Sequence, residues 1–181
     1  IKIAIVEDQQ KIIDRLIQRL SFFDDIEIIF SANNADQAIH CLEKCELKNL
    51  PEVILMDIEM PVLNGIETTQ IVKQKYPHIK VLMLTVFDND ENIFNAIRAG
   101  ADGYLLKEAE DEKLYTAIKE VLAGGAAMSP SIAVKTLKLL RYPEKQELLA
   151  IAEDPIALST REQEVLEQLA EGLSHTSIAK N

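Results

Sequence analysis

The first 123 residues alternate short apolar runs with amphipathic segments, and this alternation limits the fold more than any other feature. The apolar runs are typical of strands: Lys2–Val6, Ile26–Ser31, Val53–Met56, Val81–Leu84 and Gly103–Leu106. The segments that follow them are typical of helices: Gln9–Leu20, Ala35–Cys45, Gly65–Lys75, Glu91–Ala99 and Glu112–Leu122. Because βα units with short connections form right-handed crossovers, the sequence predicts an α/β fold with a doubly wound, five-stranded parallel sheet.

Two local patterns support this arrangement. Val53–Met56 is a continuous apolar run between Pro51 and Pro61, which is typical of a strand buried on both faces of a parallel sheet. The first helical segment has apolar residues at the spacing of a helix that packs one face on a sheet: Ile12, Ile13, Leu16, Ile17 and Leu20. Gly100 follows the fourth segment at the position where glycine often ends a helix.

The pattern changes after Gly124-Gly125. Pro130 falls in the first turn of a helix expected over about 130–141. The acidic stretch Glu144–Pro155 has the composition of a linker. Ser159 or Thr160, with an acidic or amide residue three positions later, indicates a new helix start. We therefore expect three regions: a domain at 1–123, a linker with one helix at 124–157, and the beginning of an all-α module at 158–181.

Composition excludes some classes of protein. A net charge of −11 argues against a chain that is mostly a nucleic-acid surface, although a small DNA-reading module stays possible. No apolar stretch approaches the length of a membrane helix, so no membrane association is expected. The two cysteines, Cys41 and Cys45, lie on one helical segment, where packing is a better interpretation than a disulfide or zinc. Low cysteine content without an export signal indicates a cytoplasmic protein.

Chemically active residue types follow four of the strands. Glu7-Asp8 comes after the first strand, Asp57 after the third, Thr85 after the fourth, and Lys107 after the fifth. The carboxyl ends of parallel strands meet at one edge of the sheet, so these side chains should share a crevice. Crowded carboxylates repel one another, and a hard cation with oxygen ligands, most plausibly Mg²⁺, relieves that repulsion. Asp57 could then act as a nucleophile toward phosphorus.

This set of residues closely resembles the receiver domain of two-component response regulators, over roughly 1–123. Glu7-Asp8 is similar to the acidic pair, and Asp57-Ile58-Glu59-Met60-Pro61 to the phosphoacceptor motif. The resemblance implies a flavodoxin-like receiver, with Asp57 as phosphoacceptor, Thr85 and Tyr104 as switch residues and Lys107 as the phosphate-binding lysine. It also implies a Mg²⁺ site with ligands from the side chains of Asp8 and Asp57, the backbone carbonyl of Glu59, and Glu7 through water.

Residues 158–174 resemble the opening of a LuxR-type helix-turn-helix, which together with the receiver indicates the NarL/FixJ subfamily of transcription regulators. The resemblance implies a phosphorylation-activated regulator rather than an enzyme, with slow self-dephosphorylation. A sensor histidine kinase would donate the phosphoryl group, Tyr104 would turn inward as Thr85 moves, and the protein would dimerise and bind promoter DNA. The chain ends at Asn181 within the truncated helix-turn-helix, before the helix that enters the major groove, so this chain itself is not expected to read DNA.

One residue departs from the common receiver pattern. Many receivers have proline after the lysine, in a cis peptide, whereas this chain has Glu108. A cis bond before a residue other than proline costs about 3 kcal/mol, so we expect a trans bond between Lys107 and Glu108.

Two other functions stay open from the sequence. Haloacid-dehalogenase-type phosphatases also have an aspartate nucleophile at a strand end with a second acid two residues later, and Asp57-Ile58-Glu59 has that spacing. Against this function, the second acid is Glu59 and there is no room for a cap domain. The other alternative is a receiver that acts only by protein–protein contacts, without DNA output.

Overall fold

A parallel sheet with helices on both faces forms the centre of the protein. The computed structural model describes residues 1–86 and 89–141. The strands are β1 (Lys2–Val6), β2 (Glu27–Ala32), β3 (Val53–Met56), β4 (Lys80–Thr85), β5 (Gly103–Leu106) and β6 (Ala127–Met128). The helices are α1 (Gln10–Leu20), α2 (Ala35–Lys44), α3 (Gly65–Lys75), α4 (Asp90–Arg98), α5 (Asp111–Leu122) and α6 (Pro130–Arg141), and Leu47–Asn49 forms a short 3-10 helix.

The strand order is β2-β1-β3-β4-β5-β6, and every neighbouring pair is parallel. The predicted doubly wound parallel sheet is confirmed, and the first five strands and five helices lie within one residue of their predicted bounds. The number of strands was wrong, because β6 adds a sixth strand at the edge beside β5. A strand of two residues is too short to show the alternation of polar and apolar residues that identifies longer strands.

Alternating strand residues contribute to two apolar cores, one on each face of the sheet. Ile3 and Ile5 of β1 pack with α1 and α5. Ala4 and Val6 pack on the opposite face with α2, α3 and α4. Ile132 of α6 is fully buried in that second core, so α6 is part of the same compact unit, which extends from Ile1 to Leu140.

Several local expectations are also met. Gly100 has a φ of 95° just after α4, the left-handed conformation expected of a glycine that ends a helix. Cys45 packs against the core on the α2 face, as the packing interpretation predicts. No peptide bond within residues 1–86 and 89–141 is cis, so the Lys107–Glu108 bond is trans as expected.

Across these same residues, no helix combines the length and the apolar character that a bilayer span requires. Residues 158–181, assigned from the sequence to a second module, lie outside the residues that the structure describes.

Candidate functional site

Backbone hydrogen bonds continue past the ends of the strands and position the chemically active residues. The Glu7 amide donates to the Ala32 carbonyl of β2 at 3.0 Å, and the Asp57 amide donates to the Val6 carbonyl of β1 at 2.9 Å. On the other side of the crevice, the Lys107 amide donates to the Thr85 carbonyl at 2.9 Å. The predicted site residues are therefore held by the sheet itself, which gives them more precise positions than a free loop would.

Three carboxylates meet at this edge of the sheet. Glu7, Asp8 and Asp57 each offer one carboxylate oxygen, and these three atoms all lie within 4.8 Å of one another. Glu7 and Asp57 are almost entirely buried, at 1% and 4% exposure, whereas Asp8 is exposed. The acidic cluster therefore has a buried floor formed by two carboxylates and an open side formed by the third.

Lys107 lies against the two buried carboxylates. Its ammonium Nζ is 2.6 Å from Glu7 Oε2 and 3.0 Å from Asp57 Oδ2. The Lys107 side chain is only 13% exposed, so these ion pairs are shielded from solvent. One ammonium thus partly neutralises two carboxylates that come from different strands.

The surroundings of the crevice disfavour the charged form of its two buried carboxylates. Burial raises the pKa of Asp57 above its ordinary value, and the hydrogen bond from Lys107 offsets only part of that effect. Burial likewise raises the pKa of Glu7, and the neighbouring Asp57 charge adds to the increase. Burial alone would lower the pKa of Lys107, but its hydrogen bonds to Glu7 and Asp57 outweigh burial and raise that pKa. The ammonium therefore stays charged, but this single positive charge does not fully compensate the two buried carboxylates.

Two buried oxygens in the crevice have no hydrogen-bond partner among the described residues: Glu7 Oε1 and Asp57 Oδ1. An unpaired buried carboxylate oxygen is costly, and native proteins rarely leave one without a ligand, a water or an ion. Glu7 and Asp57 both belong to the acidic cluster, in which one carboxylate oxygen from each residue lies within 4.8 Å of the others. Hard oxygen donors of this kind suit Mg²⁺, so the residues fit the cation that the sequence predicts.

The remaining predicted residues are placed as follows. Thr85 is fully buried at the end of β4, and Tyr104 of β5 is 1% exposed. Tyr104 pairs in register with Met83, two residues before Thr85, so both side chains project from the same face of the sheet. The Tyr104 side chain is therefore buried in the core on that face. The Glu59 side chain is exposed, and a role for its backbone carbonyl stays a prediction.

Gly65 is a sterically required position beside Asp57 that the sequence interpretation overlooked. It is the first residue of α3, and its amide donates to the Ile58 carbonyl at 2.8 Å. A Cβ atom at this position would overlap the Asp57 carbonyl oxygen. Glycine therefore lets α3 begin directly against the backbone of Asp57, and the only sign of this in the sequence is the glycine immediately after Asn64.

Asn64 and Glu67 fix the start of α3 on the other side of Gly65. The Asn64 side chain accepts from the Glu67 amide at 2.9 Å, and the Glu67 side chain accepts from the Asn64 amide at 3.0 Å. This reciprocal pair is a capping box, which satisfies two backbone donors at the helix start. It holds the far end of the segment that begins at Asp57.

Known proteins resemble this chain over most of its length. Residues 3–119 match the family model of the response regulator receiver domain. The transcriptional regulatory protein LnrK of Bacillus subtilis is 33% identical over 183 residues, covering 99% of this chain and 81% of LnrK. The nitrate/nitrite response regulator protein NarL of Escherichia coli is 29% identical over 178 residues, covering 98% of this chain and 79% of NarL.

A solved structure agrees with these sequence relatives. The crystal structure of a LuxR-family two-component response regulator from Aurantimonas sp. superposes with a TM-score of 0.69 at 26% identity. The superposition covers 76% of this chain and 95% of that chain.

Proposed function

The chain belongs to the NarL/LuxR-type response regulators of two-component systems, and from this premise we propose that it regulates transcription by accepting a phosphoryl group on Asp57. The observation that carries the proposal is the pairing of a buried Asp57 carboxylate with the Lys107 ammonium at 3.0 Å, inside a cluster of acids. This arrangement gives a nucleophile, a cation for the phosphoryl oxygens, and donors for a metal ion.

The phosphoryl donor is the phosphohistidine of a sensor histidine kinase. One carboxylate oxygen of Asp57 forms a bond to phosphorus as the bond between phosphorus and the histidine nitrogen breaks. The bonding electron pair stays on the imidazole, and Asp57 becomes an acyl phosphate. Lys107 already contacts the Asp57 carboxylate, so its ammonium is within reach of the new phosphoryl oxygens.

The side chains of Asp8 and Asp57 and the backbone carbonyl of Glu59 would hold the Mg²⁺ ion, and Glu7 would contact it through water. When bound, the ion supplies positive charge that stabilises the transferring phosphoryl group. The buried oxygens of Glu7 and Asp57 that lack hydrogen bonds support this assignment.

Thr85 and Lys107 would report the phosphoryl group to the rest of the domain. Each binds phosphoryl oxygens, and such charge-assisted contacts are worth roughly 1–3 kcal/mol, enough to shift a two-state equilibrium about tenfold or more. Because the Tyr104 ring is already buried, we assign it the role of filling the space behind Thr85. The surface formed by α4, β5 and α5 would then change its contacts and promote a homodimer.

Transcriptional output would come from the LuxR-type module that the sequence predicts from residue 158. A dimer of the complete regulator would bring two such modules to paired half-sites on promoter DNA. The protein would act in the cytoplasm, where kinase and promoter are both accessible.

Intact mass after incubation with acetyl phosphate tests the proposal directly. We expect a single added phosphoryl group that requires both Mg²⁺ and Asp57. Asp57→Ala should give no adduct, whereas Asp24→Asn, which changes an exposed aspartate in the turn after α1, should be phosphorylated like the wild type.

Three other results would contradict parts of the proposal. A folded wild-type protein without any adduct, using either acetyl phosphate or a phosphorylated kinase, would refute Asp57 as phosphoacceptor. Sustained release of phosphate over many turnovers would favour the phosphatase alternative. An adduct without any change in DNA binding by the complete regulator would favour a receiver that acts by protein–protein contacts alone.

A further inference from the structure

Arg19, on α1, connects that helix to the loop that carries Lys107. Its Nε donates to Asp111 Oδ1 at 2.5 Å, and its Nη2 donates to the carbonyl oxygen of Ala109. Its Nη1 makes a longer contact, 3.5 Å, with the Lys107 carbonyl oxygen. The Arg19 side chain is only 13% exposed. A single guanidinium therefore contacts the loop backbone on both sides of Glu108 and the first residue of α5.

Two kinds of contact hold this loop, one at its amides and one at its carbonyls. Backbone hydrogen bonds hold its amides, from Lys107 to the Thr85 carbonyl and from Ala109 to the Leu106 carbonyl, each at 2.9 Å. Arg19 contacts the backbone carbonyl oxygens of the same two residues. Residue 108 is Glu, so no proline ring restricts the backbone between them.

Arg19 also contacts the start of α5. Glu110 is the N-cap residue, but its side chain makes no capping hydrogen bond. Asp111, the first residue of the helix, instead has its carboxylate bound by Arg19. Contacts from Arg19 on α1 thus add to the backbone hydrogen bonds that hold this loop.

We propose that Arg19 is a positioning residue for Lys107: it fixes the backbone of the Lys107–Ala109 loop and so keeps the Lys107 ammonium between Glu7 and Asp57. This inference rests on the proposed function of the same crevice, because Lys107 serves phosphoryl acceptance only there. Arginine suits the task, since its planar fork donates to several acceptors at fixed angles, which a lysine ammonium on a flexible stem does not.

The first test measures the position of Lys107 without any phosphorylation. Reductive methylation, resolved by peptide mass spectrometry, gives a rate for each lysine. In Arg19→Ala we expect Lys107 to react about tenfold faster than in the wild type, because local release of the loop exposes its ammonium. Lys73, which is 17% exposed and paired with Asp102 at 2.5 Å, is the internal control and should keep its rate.

The second test measures the consequence for chemistry. The initial rate of phosphorylation by acetyl phosphate should fall about tenfold in Arg19→Ala, since small misplacements of a catalytic group reduce rates strongly. Arg19→Lys should retain an intermediate rate. Arg15→Ala, which removes an exposed arginine one turn earlier on α1, should match the wild type.

A double substitution separates positioning from a general structural role. If Arg19 acts through Lys107, adding Arg19→Ala to Lys107→Ala should cause no further loss of rate. A further loss equal to that in the wild-type background would overturn the proposal. Faster methylation of both Lys107 and Lys73 in Arg19→Ala would also overturn it, because it would show a general loosening of the fold.

The two proposals fail in different ways. If the wild type accepts no phosphoryl group, the proposed function is wrong, and the methylation rate of Lys107 still decides whether Arg19 positions it. If the wild type is phosphorylated and Arg19→Ala matches it in both measurements, only the inference about Arg19 is wrong.

Discussion

Asp57, the proposed phosphoacceptor, is in surroundings that oppose the stability of the fold. Its carboxylate is buried at 4% exposure beside Glu7, and one oxygen of each has no hydrogen-bond partner among the described residues. Lys107 supplies one positive charge for both carboxylates. Residues with such unfavourable surroundings are expected at functional sites, where stability is given up for chemistry.

Asp57→Asn should therefore stabilise the protein when divalent cations are absent. The pKa of Asp57 is raised in the folded state above its ordinary 3.8, so its ionisation opposes folding at every pH above the folded-state pKa. We expect a gain in the free energy of unfolding on the order of 1–3 kcal/mol at neutral pH, measured by urea denaturation in EDTA. The gain should shrink as the pH falls toward 3.8, because both states then bind the proton.

Magnesium gives the complementary measurement. Added Mg²⁺ should stabilise the wild type by binding its native state, and it should stabilise Asp57→Asn much less. Asp24→Asn, at an exposed position, should follow the wild type in both buffers. A variant Asp57→Asn that is less stable than the wild type in EDTA would contradict this account of the crevice.

The connection from β3 to α3 shows the same compromise at the level of an element. The helix begins so close to the strand that only glycine fits at position 65, and the capping box of Asn64 and Glu67 fixes its first turn. Within the connection, Val62 has a φ of 72°, a conformation that a β-branched residue rarely adopts. A compact connection thus places the backbone after Asp57 under tight steric limits.

Two glycine substitutions separate the steric effect from the conformational one. Gly65→Ala should reduce the free energy of unfolding by about 2 kcal/mol or more, because its Cβ overlaps the Asp57 carbonyl. Gly124→Ala should cost only about 1 kcal/mol, since φ is 84° there and the space around it is open. Urea denaturation measures both, and equal costs would contradict the close approach of α3 to Asp57.

Asp102 lies directly before β5, at the amino ends of the strands and away from the crevice, and its carboxylate connects α3 to β4. Its carboxylate accepts from Lys73 at 2.5 Å, from Lys80 at 3.0 Å, and from the Val81 amide at 2.8 Å. Burial raises the pKa of Asp102, but these bonds outweigh burial and lower it below the ordinary 3.8. Here, unlike in the crevice, a partly buried carboxylate has enough donors.

Asp102→Asn should consequently destabilise the protein at neutral pH, by about 1–3 kcal/mol. A lowered folded-state pKa contributes stability above the unfolded-state value, and that stability is lost as the pH falls through the folded-state pKa. The difference from the wild type should therefore disappear only in acid, below pH 3.8. Glu43→Gln, which removes the exposed pair with Lys75, should leave urea denaturation unchanged at either pH.

For the whole molecule, β6 and α6 complete the packing of the sheet. β6 pairs with Gly103 and Tyr104 of β5, and Ile132 of α6 is fully buried in the core on the α2 face. The unit that contains the crevice therefore extends beyond the five βα units that the sequence pattern indicates.

A comparison of two fragments tests this extension. Residues 1–123 should be less stable than residues 1–141 by about 2 kcal/mol or more, because the shorter fragment loses the buried Ile132 and the edge strand beside Tyr104. Urea denaturation of both fragments measures the difference. Equal midpoints and slopes would show that β6 and α6 contribute nothing to the fold.

The sequence predicted those features that depend on local pattern, and it missed those that depend on distant contacts. The apolar run at Val53–Met56 identified a central strand, and residue types at strand ends identified the acidic crevice. The contacts of Arg19 are with backbone carbonyls and a carboxylate about ninety positions away, which leave no mark on local periodicity. The steric need for Gly65 is likewise visible only when α3 and β3 are in place.

The order of the strands also bears on how quickly the native state forms. β1 lies between β2 and β3, and its pairing with β3 joins Ile3 to Val53 before the crevice can exist. Sheets built from such separated pairs have high contact order and fold slowly. The repulsion between Glu7 and Asp57 arises only once β1 and β3 have paired, so a bound cation should lengthen the lifetime of the folded protein more than it accelerates refolding.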